Sequence, residues 1–152
     1  MTSSVFEPIA DLSIRAETGE VRRASAWIEQ ACRERGVPKE ASGRLDVCLN
    51  ETLANIFAHG GEAALLAPIA LHLEVNHDKS ANEAIVTVSD SGAAFDPLAV
   101  SPAARPKMLA EAAPGGHGLM MIRSSADSLS YRYLEGRNQL SFGVRWCGGD
   151  DG

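Results

Sequence analysis

No apolar run in this chain approaches the roughly 20 residues that a membrane-spanning helix requires, and residues 1–4 are polar and do not read as a signal peptide. Cationic residues are in deficit: 14 Lys and Arg stand against 20 Asp and Glu, a formal net charge of −6. A surface that neutralises a phosphate backbone needs clustered Lys and Arg, so no direct nucleic-acid partner is expected. Cysteine is scarce and unpaired in pattern. Cys32, Cys48 and Cys147 are widely spaced with no C-x-x-C, which argues against a disulfide framework or a zinc site and for reduced thiols in a cytoplasmic protein. Internal repeats are also missing. What is present is a 152-residue chain, 45% hydrophobic and 22% charged, as expected of one ordinary globular domain.

Hydrophobic periodicity divides the chain into elements. Ile9, Leu12 and Ile14 alternate well enough for a first strand over 9–17. Val21, Ala24, Trp27, Ile28 and Ala31 have helical spacing over 21–35, with Gly36 as the stop and Pro38 just beyond. A second helix spans 39–58. Leu45, Cys48, Leu49, Leu53, Ile56 and Phe57 form its stripe, and His59-Gly60-Gly61 ends it. Strands over 69–75 and 84–89 flank polar turn material at 76–83. A long Ala- and Pro-rich connection over 97–116, carrying Arg105 and Lys107, has the length of a lid or binding loop. Helical spacing resumes over 118–126, and strands at 129–134 and 139–146 surround the hairpin signal Glu135-Gly136-Arg137-Asn138. Hairpin-paired strands with segregated helices predict an α+β two-layer sandwich with a mixed or antiparallel sheet and helices packed on one face. Strict β-α-β alternation is absent, which excludes a doubly wound parallel sheet.

Three segments can carry chemistry. Glu51, Asn55 and His59 recur every fourth residue, so they share one side of the second helix. An amide oxygen suits a hard cation such as Mg²⁺, and a carboxylate one turn away can take a proton; a solvated helix face is the bland alternative. In Val88-Ser89-Asp90-Ser91-Gly92, an apolar strand ends in an acid that can accept from an exocyclic amine, with Gly92 allowing a planar base to approach. Alternatively, Asp90 simply caps its own turn. Gly115-Gly116-His117-Gly118-Leu119 leads into a helix whose free N–H groups can meet phosphate, but it lacks the Lys-Ser/Thr of a P-loop and the preceding strand of a dinucleotide fingerprint.

Taken together and in this order, the segments resemble the GHKL (histidine-kinase-like) ATPase superfamily. Glu51-x-x-x-Asn55 is similar to its N-box, and Asp90-x-Gly92 and Gly116-x-Gly118 to its two glycine boxes. The resemblance covers about 9–146. The endings Asn55-x-x-x-His59-Gly60 and Phe95-Asp96-Pro97, the Gly115–Leu119 junction and Gly136-x-Asn138-x-Leu140 are most similar to the anti-sigma-factor serine/threonine kinases of bacterial partner switching. That resemblance implies the Bergerat ATP-binding fold over a single domain, 1–152, with ATP and Mg²⁺ as cofactors and 97–116 as the ATP lid. It makes Asn55 the Mg²⁺ ligand, and Asp90 and Gly92 the adenine site. Gly116, His117, Gly118 and Leu119 become the phosphate site, and Glu51 the catalytic base. The implied partners are an anti-anti-sigma protein of STAS type, whose Ser or Thr is phosphorylated, a sigma factor or equivalent target, and a second copy in a homodimer.

Several residues keep two readings. His59 either acts near the phosphates or caps helix carbonyls, and His117 either touches phosphate or faces solvent. Arg105 and Lys107 pair with phosphate or are solvated, while Trp27 and Trp146 read as packing. The main alternative to a kinase is a module that binds ATP and sequesters a partner without phosphotransfer. A sensor-kinase fragment is disfavoured, because no phosphoacceptor helix precedes Glu51. An ordinary α+β domain with chance motifs is the remaining alternative.

Overall fold

A computed structural model describes residues 5–6, 10–77, 81–94, 96, 122 and 124–147 of the chain. Their elements run β1 (Val5–Phe6), β2 (Ala10–Ile14), α1 (Gly19–Glu34), α2 (Lys39–His59), α3 (Ala63–Leu66), β3 (Ile69–His77), β4 (Asn82–Asp90), β5 (Ser128–Leu134) and β6 (Arg137–Trp146). The six strands fill five positions, because β1 and β2 lie end to end along one edge of β3, followed by β4, β6 and β5. Every pairing among them is antiparallel, so the sheet is antiparallel rather than mixed.

Alternation along the strands sends one set of side chains toward the helices. Ile69, Leu71, Leu73 and Val75 of β3, Ala84, Val86 and Val88 of β4, and Leu140, Phe142 and Val144 of β6 are all buried. Against them lie Ala24, Ile28, Ala31 and Cys32 of α1 and Leu45, Cys48, Leu49 and Leu53 of α2. The fold is thus an α+β two-layer sandwich. Trp27, Phe57 and Trp146 pack on the margin of this core.

The helix ends explain where α1 stops and α2 begins. Gly36 takes φ +75°, and the Val37 amide donates to the Cys32 carbonyl at 3.0 Å, closing the last turn and burying Val37. At the other end of α2 the sequence expectation shifts by one residue. Gly60 keeps helical dihedrals, and Gly61, with φ +70°, makes the turn. The β5–β6 turn is the two-residue Glu135-Gly136, both at positive φ (53° and 80°), the geometry that matches the twist of paired strands.

Other boundaries also move. The first strand is shorter than 9–17, ending at Ile14, and β1 and α3 appear where no element was expected. β3 and β4 extend into the polar stretch assigned to a turn. His77 holds that extension: its Nε2 donates to the Arg35 carbonyl at 3.1 Å, its Nδ1 meets Asn82 Oδ1 at 3.1 Å, and its ring stands edge-on to Trp146. Of the expected helix over 118–126, Ile122, Ser124, Ser125 and Ala126 are described, with the Ala126 amide donating to the Ile122 carbonyl at 3.0 Å. The expected lid, with Arg105 and Lys107, lies outside the described residues.

Candidate nucleotide site

One cleft opens where the C-terminal half of α2 crosses the ends of β4, β5 and β6. Thr52, Asn55, Ile56, His59 and Gly60 line it from α2, Val88, Asp90 and Ala93 from β4 and its loop, and Tyr131, Asn138 and Leu140 from β5 and β6. The cleft is narrow and partly open to solvent, with a cavity volume of about 30 Å³. Ile56, Val88 and Leu140 give it an apolar floor suited to a flat base, and a few polar groups converge above.

Asp90 is the most constrained of those groups. It is 4% exposed, and its Oδ1 accepts from the Gly92 amide at 2.8 Å and from Asn138 Nδ2 at 3.2 Å. Asp90 therefore does cap its own turn. The cap uses only Oδ1, and no donor among the described residues reaches Oδ2. Asp90 lines the cleft, so this second carboxylate oxygen is open to a donor from a ligand.

Asn138 faces Asp90 across the β4–β6 pairing. Its Nδ2 also donates to the Gly92 carbonyl at 3.2 Å and the Ala93 carbonyl at 3.0 Å, and its Oδ1 accepts from the Tyr131 hydroxyl. The Tyr131 proton fixes which way the amide points. Neither residue was assigned to the site from sequence. One signal was available: Asn138 shares the inward phase of β6 with Leu140, Phe142 and Val144, and a polar residue there must find partners.

Gly92 owes its identity to the protein. A Cβ on it would lie 2.8 Å from Gly60 Cα and 2.9 Å from both Gly60 O and Asp90 Oδ1. The close approach here is thus between the loop after β4 and the end of α2, sealed by the Ala93 amide donating to Gly60 O at 3.2 Å. This contact joins the first two sequence segments into one site.

Asn55 projects into the cleft, 6% exposed, and its amide has no hydrogen-bond partner among the described residues. A neutral amide oxygen fits a hard cation. No cluster of three or more His, Cys, Asp or Glu among the described residues could hold one, so nucleotide phosphates and water would complete the coordination of Mg²⁺. Glu51, half-buried and one helical turn before Asn55, does not line the cleft. His59, exposed, stands at its mouth. Gly116, His117, Gly118 and Leu119 lie outside the described residues.

Burial pushes the two core thiols out of reactive range, Cys32 up to about 11 and Cys48 up to about 12, while Cys147 is exposed. No described helix is long and apolar enough to cross a membrane.

Comparison with known proteins gives the family. A family model described as "Histidine kinase-like ATPase domain" matches residues 14–144. The serine/threonine-protein kinase BtrW of Bordetella bronchiseptica is 33% identical over 132 residues, covering 86% of this chain and 88% of BtrW. Among solved structures, the RsbU and RsbW domains of a Mycobacterium tuberculosis protein match with a TM-score of 0.65 at 14% identity. That match covers 91% of this chain but only 32% of the longer protein. The SiaB–SiaC complex of Pseudomonas aeruginosa matches at 0.50 and 13% identity, covering 90% of this chain and 89% of the other. At such identities these two likenesses concern the fold.

Proposed function

This chain belongs to the histidine kinase-like ATPase family, and from that premise we propose that, like the anti-sigma-factor serine/threonine kinases its motifs resemble, it transfers the γ-phosphoryl group of ATP to a Ser or Thr of a protein partner. The observation that carries the reading is the free Oδ2 of buried Asp90 beside the unpartnered amide of Asn55, in one apolar-floored cleft. Adenine enters between Ile56, Val88 and Leu140, and its amino group donates to Asp90 Oδ2. Asn55 Oδ1 would hold Mg²⁺, whose charge would offset that of the phosphates when the nucleotide is bound. Gly116, His117, Gly118 and Leu119 are assigned to the phosphates on the family resemblance.

Glu51, just outside the cleft lining and one turn from Asn55, is the general base. The partner's hydroxyl oxygen bonds to the γ-phosphorus as its proton passes to the Glu51 carboxylate, and ADP leaves. An ordinary carboxylate is a weak base toward an alcohol, so its contribution is chiefly alignment.

The partner is an anti-anti-sigma protein of STAS type, and the sequestered target a sigma factor or its equivalent. The protein acts in the cytoplasm as a homodimer. The resemblance to BtrW, a named serine/threonine kinase, supports the transfer step, and the crystallised SiaB–SiaC complex is consistent with a protein partner. That Glu51 stays outside the cleft lining favours a second reading, a module that binds ATP and a partner without transfer.

Radiolabelled ATP with the cognate partner separates the two. Glu51→Ala should lower phosphotransfer by about 100-fold or more with nucleotide affinity nearly unchanged. Asn55→Ala and Asp90→Asn should weaken ATP binding itself, Asp90→Asn by about tenfold or more. Unlabelled partner in the wild-type reaction supports sequestration, and a Glu51→Ala enzyme at near wild-type rate removes the base assignment.

A further inference from the structure

β6 opens on two residues that face opposite ways. Asn138 points inward to Asp90, and Arg137, by alternation, lies on the outer face of the sheet, away from the cleft. Arg137 nevertheless grips the same loop. Its Nε donates to Ser89 Oγ at 2.6 Å, its Nη1 to Ser91 Oγ at 2.8 Å, and its Nη2 to the Ser89 carbonyl at 2.9 Å and the Pro68 carbonyl at 3.3 Å. Ser89 and Ser91 are the two neighbours of Asp90. The carboxylate is thus held from within through Oδ1, and its backbone is held from without on both sides.

We propose that Arg137 is a positioning residue for the nucleotide base: by fixing Ser89 and Ser91 it sets the direction in which Asp90 presents Oδ2. The proposal rests on the reading that Asp90 accepts the base's amino group. Its physical content is pre-organisation. A carboxylate already aimed forms its bond without ordering a loop at the moment of binding. A planar guanidinium can bond one serine side chain, the next serine side chain and two carbonyls at once, which a Lys ammonium on a flexible stem does not reproduce.

The test compares two nucleotides by calorimetric titration in the presence of Mg²⁺: ATP, and purine riboside triphosphate, which lacks the 6-amino group. Arg137→Met should bind ATP about tenfold more weakly while the amino-free analogue changes by less than about twofold, with kcat at saturating ATP unchanged. Arg137→Lys should recover only part of the loss. Ser91→Ala, which removes a single bond, should shift affinity the same way by about two- to threefold, and it decides the matter if Arg137→Met fails to melt cooperatively. Parallel weakening of both nucleotides, in an enzyme whose wild type discriminates between them, overturns the role of Arg137 and leaves Asp90 in place. A wild type that binds the two equally overturns the Asp90 reading itself, and the proposal with it.

Discussion

Replacing Gly92 by Ala adds one methyl group at the point where two segments of the site touch. Gly92 does not need a glycine backbone, since its φ is not among the positive ones, so space alone is at issue. The new Cβ would stand 2.8 Å from Gly60 Cα, against ~3.5–4.0 Å for two carbons in contact. The loop and the end of α2 must therefore part by about 0.7 Å or more. That displacement carries the Ala93–Gly60 bond, now 3.2 Å, beyond hydrogen-bonding range. Overpacking costs about 1–3 kcal/mol and the lost bond about 1 kcal/mol, offset by about 0.4–1 kcal/mol from a stiffer unfolded chain. A net loss of about 1–3 kcal/mol should lower Tm by about 3–10 °C in a domain of this size, and displacement of Asp90 Oδ1 should weaken ATP binding as well. Gly43→Ala is the control. It lies exposed in α2 with nothing within 4 Å of its Cβ, so it should stabilise by about 0.5–1 kcal/mol. Calorimetric melting and ATP titration of both variants check this. A Gly92→Ala protein that melts within about 1 °C of wild type and binds ATP equally well would refute the contact argument.

Two further outcomes follow from charge and burial. An aromatic disulfide reagent at mildly alkaline pH should titrate one thiol, Cys147, in the native protein and all three after unfolding; rapid reaction of a second native thiol would contradict the burial of Cys32 and Cys48. Asp127 accepts from the Arg145 amide at 2.7 Å and pairs with Arg44 at 3.2 Å, and these interactions, the amide first, hold its carboxyl below the usual range. A depressed folded value means stability that is present above the ordinary carboxylate pKa and lost as pH falls through the folded one. Asp127→Asn should thus trail wild type in urea midpoint at neutral pH, with the gap closing below about pH 4; a gap that widens in acid would reverse the assignment.

Much of the fold was legible because its signals are local. The period of two in Ile69–Val75 and the stripe of α2 placed β3 and that helix, and Glu135-Gly136 placed the β5–β6 turn. What escaped depends on distant partners. Asn82 and His77 read as turn residues, and they become strand only because His77 finds Arg35 and Trp146, far away in sequence. β1 exists through pairing with Asn76 and His77, and α3 is a single turn whose Leu65 and Leu66 are exposed. Within the site, Asp90 and Asn55 could be picked out by residue type and spacing. Tyr131 and Arg137 could not, since their importance lies in whom they bond, and Asn138 offered only its polar place in the inward phase of β6. Gly92 was singled out for room beside a base, whereas the structure shows it pressed against Gly60.

The cleft's walls come from α2, β4 and its loop, β5 and β6, so no single element contains it, and its lining runs from Thr52 to Leu140. During synthesis, α2 and β4 leave the ribosome with Asp90 lacking its Asn138 partner and the floor lacking Leu140. Nucleotide can be recognised only after β6, the last described strand, has emerged and inserted between β4 and β5. A chain that stops before β6 should therefore be silent toward ATP, so the last described strand acts as the gate on nucleotide recognition.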